Sequence, residues 1–235
     1  MLYIVPTPIG NLQDITLRAL ETLKTADAVL CEDTRRTQIL LSHFGISKPL
    51  YRYNENDDRS VARCLDALKS GKMCALVSDC GTPCISDPGW KLVKEAVANG
   101  IKVSSLPGPS AVACALAGAG ITGGAFTFLG FLPRKPGKAA KLLSAAYSQN
   151  HPVVLYESPY RMVKMLELVA KTLGGETPVI LARELSKVYE EWIRGTAVSL
   201  AEELSKKSKV QGEFVMILDR PAQTEEATDE PDSYF

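Results

Sequence analysis

The amino-acid sequence predicts an α/β protein built around a mainly parallel, wound sheet. Two observations lead to this prediction. Over the first half of the chain, short apolar runs alternate with segments in which apolar residues recur at helical spacing. Loops rich in glycine and proline follow the apolar runs, as they do where strands lead into crossover helices. Such an alternation is typical of parallel strands joined by helices.

The first half of the chain contains the predicted parallel strands and the helices between them. Thr16 is a suitable N-cap for the first helix, and Gly45 is suitable as the residue just beyond the second, which ends near Phe44. The run 72–77 is almost wholly apolar, as expected of a strand buried on both faces. The predicted strands are Leu2–Val5, Ala28–Cys31, Leu50–Tyr53, 72–77 and Lys102–Leu106, and the other helices cover 60–68, 90–99 and 111–117.

The regular alternation breaks around 118–124, and the second half has a mixed pattern. We therefore place a domain boundary near 113–123, which predicts an N-terminal α/β domain over 1–115 and a C-terminal α/β domain over 116–220. Residues 221–235 hold five acids and no base and lack an apolar face, so they are predicted to be a disordered acidic tail. The later strands are predicted at 126–131, 153–156, 179–182, 191–194 and 214–218, with helices ending near 147 and covering 161–173 and 200–205.

Charge and metal-ligating residues restrict the classes of function. The chain has 27 basic and 27 acidic residues, but without the five acids of the tail the balance is 27 to 22, a net charge of +5. A mildly basic body permits a polyanionic partner without requiring one. The six cysteines form no C-x-x-C pair and only two histidines are present, which predicts that no metal is bound.

The sequence also predicts a cytoplasmic protein. Most cysteines lie within apolar runs, as reduced core thiols do. The first residues, Met1–Pro6, lack the basic region and the long apolar run of a secretory signal. No stretch of about 18 apolar residues is present, so no membrane contact is expected.

The stretch Asp79–Gly89 is the most unusual loop of the chain. It follows a buried strand and holds two glycines, two prolines and two aspartates. A turn with a helix cap explains Asp87 and Pro88, because aspartate caps helices and proline opens their first turn. It does not explain Asp79, which comes directly after the strand. We therefore predict a ligand-binding loop at the carboxyl end of this strand.

Four other loops have the same character, because each follows a short apolar run and mixes glycine or proline with a polar residue. Carboxyl ends of parallel strands lie at one edge of a sheet, so these loops are predicted to share a site. Glycine lets backbone approach a ligand closely. The alternative is that all are ordinary turns between strands and helices. The four loops are Thr7–Asn11, Glu32–Thr37, Pro107–Ser110 and Glu157–Pro159.

The segment Gly118–Gly123 matches the dinucleotide-binding pattern G-x-G-x-x-G by letter only. That motif requires a strand before it, a helix after it and an acid about 20 residues later. Here a helix of small residues precedes the segment, a strand follows, and the next acid is Glu157. A linker is the favoured interpretation.

Two charged segments are open to two interpretations each. In Glu32–Arg36, Asp33 could cap the next helix beside solvated arginines, or the arginines could contact phosphate while a carboxylate orients a hydroxyl. The second segment holds Arg134, Lys135, Lys138 and Lys141 between prolines and glycine. It is either a solvated loop or a contact for a phosphate backbone.

Seven motifs occur in order over about 1–219. Together they resemble the ribosomal RNA small-subunit methyltransferase I family, within the tetrapyrrole methylase-like superfamily. The resemblance implies two α/β domains with S-adenosylmethionine in the cleft between them, a homodimer, and 2'-O-methylation of a cytidine in the decoding region of 16S ribosomal RNA. The motifs are TPIGNLQDIT (7–16), EDTRRT (32–37), DCGTPCISDPG (79–89), PGPSAVACAL (107–116), GFLPRKPGK (130–138), YESPYRM (156–162) and ARELSKVYEEWIRG (182–195).

The resemblance also implies roles for individual residues. The carboxylates expected near the acceptor are Glu32, Asp33 and Glu184, and the sequence does not rank them as general bases. The sequence departs from the family at Cys80 and Cys84, where small residues such as alanine or glycine are usual. The implied cofactor-binding residues are Ile9, Gly10, Asp79, Gly81, Thr82, Ser110, Ala111, Tyr156, Glu157 and Leu185. The RNA-binding residues expected from their charge are Arg35, Arg36, Arg134, Lys135 and Lys138.

Two other functions remain open on the sequence. One is a methylase of the same fold that acts on a small corrinoid or tetrapyrrole acceptor, although the basic run 134–141 favours RNA. The other is a non-catalytic RNA-binding module, which would bind RNA but not S-adenosylmethionine.

Overall fold

The computed structural model describes residues 1–121 and 124–220, and the predicted acidic tail lies outside them. The chain divides into two compact units. The first contains 1–120, 182–191 and 213–215, and the described part of the second contains 121, 124–181, 192–212 and 216–220. Two short segments from later in the chain, 182–191 and 213–215, thus pack with the first unit. The domain bounds 1–115 and 116–220 stay a prediction from sequence.

The first unit contains a five-stranded parallel sheet of order β3-β2-β4-β1-β5. Residues Leu2, Ala28 and Cys74 lie side by side across its centre. The predicted α/β architecture with a wound parallel sheet is therefore confirmed for this unit. Its elements are β1 (Leu2–Ile4), α1 (Leu17–Thr25), β2 (Ala28–Cys31), α2 (Thr34–His43), β3 (Leu50–Arg52), α3 (Asp58–Lys69), β4 (Cys74–Leu76), α4 (Trp90–Ala98), β5 (Val103–Ser105) and α5 (Ala111–Ala119).

Both faces of this sheet are covered by helices. Leu30 and Leu76 belong to the core that includes α3 and α4, whereas their chain neighbours Val29 and Ala75 belong to the core that includes α1 and α2. Successive side chains of a strand point to opposite faces, so a sheet covered on both sides needs apolar residues at every position. This explains why the strands read as unbroken apolar runs in the sequence.

Helix caps of the first unit agree with the sequence at three positions and differ at one. Thr16 accepts from the Ala19 amide at 3.0 Å, Asp33 accepts from the Arg35 amide at 2.8 Å, and Gly45 follows α2 with φ of +66°. The predicted cap at Asp87 is wrong. The N-cap of α4 is Gly89, which makes no side-chain cap bond.

Gly89 is the N-cap because a distant carboxylate and tight packing determine the start of α4. Its amide donates to Glu55 Oε2 at 2.7 Å. Its φ is +142°, a backbone conformation that residues with a Cβ atom rarely adopt. A Cβ here would lie 2.7 Å from Cys84 Sγ and 2.9 Å from Leu76 Cδ2, and Leu76 is buried. The loop 79–89 therefore closes onto the helix only through glycine.

Gly89→Ala is expected to lower the free energy of unfolding by about 3 kcal/mol, because it adds backbone strain to overpacking. Urea unfolding followed by circular dichroism measures this change. Gly100→Ala is the matched control, because Gly100 also has positive φ (+69°) but nothing lies within 4 Å of its added Cβ. The free energy of unfolding of that variant should fall by only about 1 kcal/mol. Equal losses in the two variants would contradict the packing argument.

The second sheet has order β6-β7-β10-β8-β9, with β6 and β7 parallel. Its neighbours β8 and β9 are joined by 184–190 alone, which is too short for a parallel crossover, so this pair is antiparallel. The prediction of a mixed pattern in the second half is confirmed. The elements are β6 (Thr127–Phe131), α6 (Pro136–Tyr147), β7 (Val153–Glu157), α7 (Met162–Leu173), β8 (Pro178–Arg183), β9 (Glu191–Thr196), α8 (Ala197–Ser205) and β10 (Phe214–Leu218).

The cysteines are all free thiols. Cys31, Cys64 and Cys74 are buried, as predicted for core thiols. Cys80 and Cys114 are exposed, so the prediction is wrong for these two, which lie on a loop and on α5. None of the helices within 1–121 and 124–220 has the length and the apolar character of a membrane span.

Candidate functional site

Backbone hydrogen bonds join the loops that follow β1 and β4. The Thr7 amide donates to Gly81 O at 2.9 Å, and the Gly81 amide donates to Thr7 O at 3.0 Å. The Thr7 hydroxyl also donates to Ser78 O at 3.1 Å. The loop 79–89 is therefore fixed to the first loop at the carboxyl ends of the strands.

The loop after β5 joins the same group. The Thr82 hydroxyl donates to Pro109 O at 3.0 Å. A Cβ on Gly108 would lie 2.7 Å from the Pro6 side chain, so glycine is needed where these two loops meet. Ser110 is the N-cap of α5 but makes no side-chain cap bond, which leaves its hydroxyl for other partners. Ala111 is the first residue of that helix.

Asp79 lies between this group of loops and α2. Its Oδ2 accepts from Arg36 Nη1 at 3.2 Å. Its Oδ1 is buried and has no hydrogen-bond partner within the described residues. A buried carboxylate oxygen without a donor is costly, so a ligand that donates a hydrogen bond would bind there favourably.

Two cavities meet at Asp79. One, of about 390 Å³, is lined by acidic and basic side chains from the ends of β2 and β3. The other, of about 240 Å³, is lined by the first loop and by α2. The residues lining the first are Glu32, Asp33, Thr34, Arg35, Arg52 and Asp79, and those lining the second are Thr7, Pro8, Leu12, Arg36, Thr37, Ile39, Leu40, Ser78 and Asp79.

Asp33 is occupied by its own helix. Its carboxylate accepts from the Arg35 amide at 2.8 Å and from the Arg35 guanidinium at 3.3 and 3.1 Å. Hydrogen bonds from the Arg35 side chain and amide lower the pKa of Asp33 to about 2. Such a carboxylate is a weak proton acceptor, and its role as a helix cap is confirmed.

Glu184 is occupied by the turn between β8 and β9. Its Oε1 accepts from Lys187 Nζ at 3.0 Å and from the Glu213 amide at 2.7 Å. Burial pushes the pKa of Glu184 upward, but the bonds from the Glu213 amide and Lys187 outweigh burial, so its pKa lies below its ordinary value. Glu184 therefore organises the turn.

Glu32 differs from the other two carboxylates. It is exposed at the end of β2, and no hydrogen bond or ion pair holds its carboxylate within the described residues. Arg52 lines the same cavity, and sequence reasoning missed it. The strand order could have indicated Arg52, because it is the last residue of β3 and pairs with Cys31, the last residue of β2.

The turn after β8 lies against the first loop. Glu184 and Ser186 both have positive φ, 51° and 65°, a conformation that is strained for residues other than glycine. A Cβ on Gly10 would lie 2.9 Å from Leu185 O. The predicted cofactor positions 9 and 10 therefore lie close to position 185 within the first unit.

Asp87 carries the most perturbed carboxyl group of these loops. Burial, followed by the negative charges of Glu32 and Asp79, raises its pKa to about 6. Carboxyl groups with a strongly raised pKa are frequent at functional sites of proteins. The loop 79–89 therefore holds a carboxyl group whose ionised form is disfavoured in the folded protein.

Asp87→Asn is expected to stabilise the protein at pH 7.5 by about 2 kcal/mol and to have little effect near pH 4. The raised pKa means that the carboxyl favours folding while it is protonated, and that this contribution is lost as pH rises through about 6. Urea unfolding at both pH values measures the difference. Asp58→Asn is the control, because a hydrogen bond from Lys91 lowers the pKa of Asp58. This substitution should therefore lower the free energy of unfolding at pH 7.5 instead of raising it. A constant difference at both pH values would contradict the prediction.

The fifth predicted loop belongs to the second sheet. Four of the five loops therefore lie at one sheet edge, and the prediction of a common edge is wrong for Glu157–Pro159. The Glu157 side chain is fully buried, where its Oε1 accepts from the Ser158 amide at 2.7 Å and its Oε2 lies 3.3 Å from Arg161. Tyr156, beside it, stacks edge-on against Phe128.

The predicted RNA-binding cations fall into two groups. Arg35 and Arg36 are paired with Asp33 and Asp79, which offsets their charge. The second group is exposed on the loop after β6 and in the first turn of α6, and no ion pair involves its members within 1–121 and 124–220. It consists of Arg134, Lys135 and Lys138.

The chain is similar to known proteins in sequence and in fold. A family model described as Tetrapyrrole (Corrin/Porphyrin) Methylases matches residues 1–201. Two curated relatives are named ribosomal RNA small subunit methyltransferase I. That of Mesorhizobium japonicum is 44% identical over 98% of this chain and 78% of its own length. That of Thermotoga maritima is 45% identical over 92% of this chain and 97% of its own length.

Solved structures share the fold at low sequence identity. Diphthine synthase has a TM-score of 0.71 at 17% identity, covering 93% of this chain and 89% of its own. The uroporphyrin-III C-methyl transferase from Thermus thermophilus, complexed with S-adenyl homocysteine, has a TM-score of 0.65 at 18% identity, covering 93% and 97%. These likenesses establish the α/β methylase fold.

Proposed function

Because the chain belongs to the ribosomal RNA small subunit methyltransferase I family of the tetrapyrrole methylases, we propose that it transfers a methyl group from S-adenosylmethionine to small-subunit ribosomal RNA. The observation that carries this proposal is identity of 44 and 45% to two relatives of that name over nearly the whole chain. The proposal extends to the 2'-hydroxyl of a cytidine in the decoding region of 16S ribosomal RNA. A homodimer and a cytoplasmic location are parts of the same proposal.

The residues at the sheet edge of the first unit fit S-adenosylmethionine. Its amino and ribose hydroxyl groups are donors, and the unpartnered Asp79 Oδ1 is a buried acceptor. Gly10 lets the first loop pack closely against Leu185, and Gly81 has a positive φ of +78°, so glycine shapes both loops of the site. Tyr156 and Glu157 stay predictions from family resemblance. The residues of the first unit that would hold the cofactor are Ile9, Gly10, Asp79, Gly81, Thr82, Ser110, Ala111 and Leu185.

When bound, S-adenosylmethionine supplies an activated methyl group on a positively charged sulfur. The chain must then align the acceptor hydroxyl and receive its proton. Among the three carboxylates, we assign this role to Glu32, since Asp33 and Glu184 are bound by their own neighbours. Arg52 lies at the same cavity and would hold a phosphate of the acceptor strand.

Two alternatives make different predictions. A methylase for a small tetrapyrrole would transfer label to uroporphyrinogen, and a non-catalytic RNA-binding module would give no heat with S-adenosylmethionine in calorimetry. The test incubates the purified protein and labelled S-adenosylmethionine with 30S subunits, 50S subunits or uroporphyrinogen III. The proposal predicts label only in the 30S sample. Label only in the porphyrinogen would overturn it.

A further inference from the structure

The strand β6 contains a bulge that reorients its last residue. Phe128 pairs with Val154, but Phe131 pairs with Tyr156, so two residues of β6 lie opposite the single residue Leu155. Gly130, within the bulge, has φ of +60°. Bulges of this kind are frequent beside functional sites, where they redirect a side chain.

The redirected side chain is a large aromatic ring in contact with solvent. Phe131 is 58% exposed. Its ring centroid lies 5.5 Å from that of Tyr156, which in turn lies 5.0 Å from that of Phe128. The three rings form an aromatic cluster with Phe131 at its solvent edge. The bulge therefore holds the outer ring of this cluster at the surface, which is where bulges beside functional sites place a redirected side chain.

The chain segment that follows Phe131 is cationic. Arg134, Lys135 and Lys138 follow within seven residues and are exposed. No acidic residue occurs in the sequence between Glu95 and Glu157. Protein interfaces have few lysines at their centre, whereas a stacking ring beside a row of cations is the usual device for single-stranded nucleic acid.

We propose that Phe131, supported by Tyr156, stacks against an unpaired base of the RNA substrate while Arg134, Lys135 and Lys138 hold the neighbouring phosphates. This inference rests on the proposed function and adds to it the recognition of a splayed, single-stranded segment. Stacking requires a π face, whereas the phosphate contacts require only charge, so the two parts can be tested separately.

The test compares Phe131 variants in binding to 30S subunits and in methyl transfer. Phe131→Ala should weaken 30S binding about 5- to 150-fold. Phe131→Tyr should retain binding, while Phe131→Leu, which is apolar but has no π face, should not. Binding of S-adenosylmethionine, measured by calorimetry, should change much less than 30S binding in all three. Phe126→Ala is the matched control, because Phe126 is 46% exposed and precedes the other end of the same strand.

Salt dependence separates stacking from charge. Phe131→Ala should leave the slope of log affinity against log salt unchanged, whereas Lys135→Ala should reduce it by about 0.7 for a single-strand contact. Full binding by Phe131→Leu, or a changed oligomeric state in Phe131→Ala, would overturn the inference in favour of a protein contact. If wild-type protein methylates 30S subunits and Phe131→Ala does so equally well, the inference fails and the proposed function stands. If wild-type protein neither binds nor methylates 30S subunits, both fail.

Discussion

Replacing Glu32 with glutamine is expected to lower kcat for methyl transfer to 30S subunits by about 10²- to 10⁴-fold, the usual effect of removing a general base. The change keeps the size of the side chain and removes its ability to accept a proton. Affinity for S-adenosylmethionine should stay the same, because Glu32 shares its cavity with Asp79 but is assigned to the acceptor hydroxyl and not to the cofactor. Single-turnover rates with saturating 30S subunits and calorimetry with the cofactor measure the two quantities.

The other two carboxylates are the comparison for Glu32. Asp33→Asn and Glu184→Gln should lower kcat much less, since the Asp33 carboxylate is held by Arg35 and that of Glu184 by Lys187 and the Glu213 amide. A larger loss in either variant than in Glu32→Gln would transfer the role of base to that residue. Unchanged turnover in a triple alanine variant would exclude a carboxylate base altogether.

Asp79→Ala is expected to weaken binding of S-adenosylmethionine about 10- to 150-fold, which corresponds to the loss of one hydrogen bond to a charged group. The variant removes the buried Oδ1 that has no partner in the described residues and also frees Arg36. Affinity for 30S subunits should change much less. Calorimetry with the cofactor and filter binding with 30S subunits measure the two affinities.

Asp58→Ala is the matched control for Asp79. Asp58 is also an aspartate of the first unit paired with a cation, Lys91 at 2.6 Å, but its side chain is 90% exposed. Its removal should leave cofactor affinity unchanged. Equal affinity in Asp79→Ala and wild-type protein would mean that the cofactor is held elsewhere.

The strands and helices could be predicted from sequence because their signals are local. The apolar run ending at Leu76 and the cap at Thr16 each depend on residues within a few positions. Asp87 was predicted wrongly because the start of α4 depends on Glu55, 34 residues away in the chain. Short-range rules for caps contain no information about such a contact.

The location of the candidate site could be predicted from sequence, but the role of each residue within the site could not. The motif around Asp79 indicated a ligand loop, but only the tertiary structure reveals an acceptor oxygen without a donor. The sequence does not distinguish the carboxylates of Glu32, Asp33 and Glu184 as candidate bases. Only their hydrogen-bond partners in the structure do so. Arg52 carries no motif and reaches the site through strand order alone. The bulge that exposes Phe131 likewise depends on pairing with β7.

The most direct test of the central proposal maps the methylated nucleotide. Unmethylated 30S subunits are incubated with the purified protein and labelled S-adenosylmethionine, and the 16S ribosomal RNA is digested and analysed by mass spectrometry. The proposal predicts one new methyl group, on the 2'-oxygen of a cytidine in the decoding region, and its absence when Glu32→Gln replaces the wild-type protein. Label on a base, at a nucleotide outside that region, or nowhere in the RNA would contradict it.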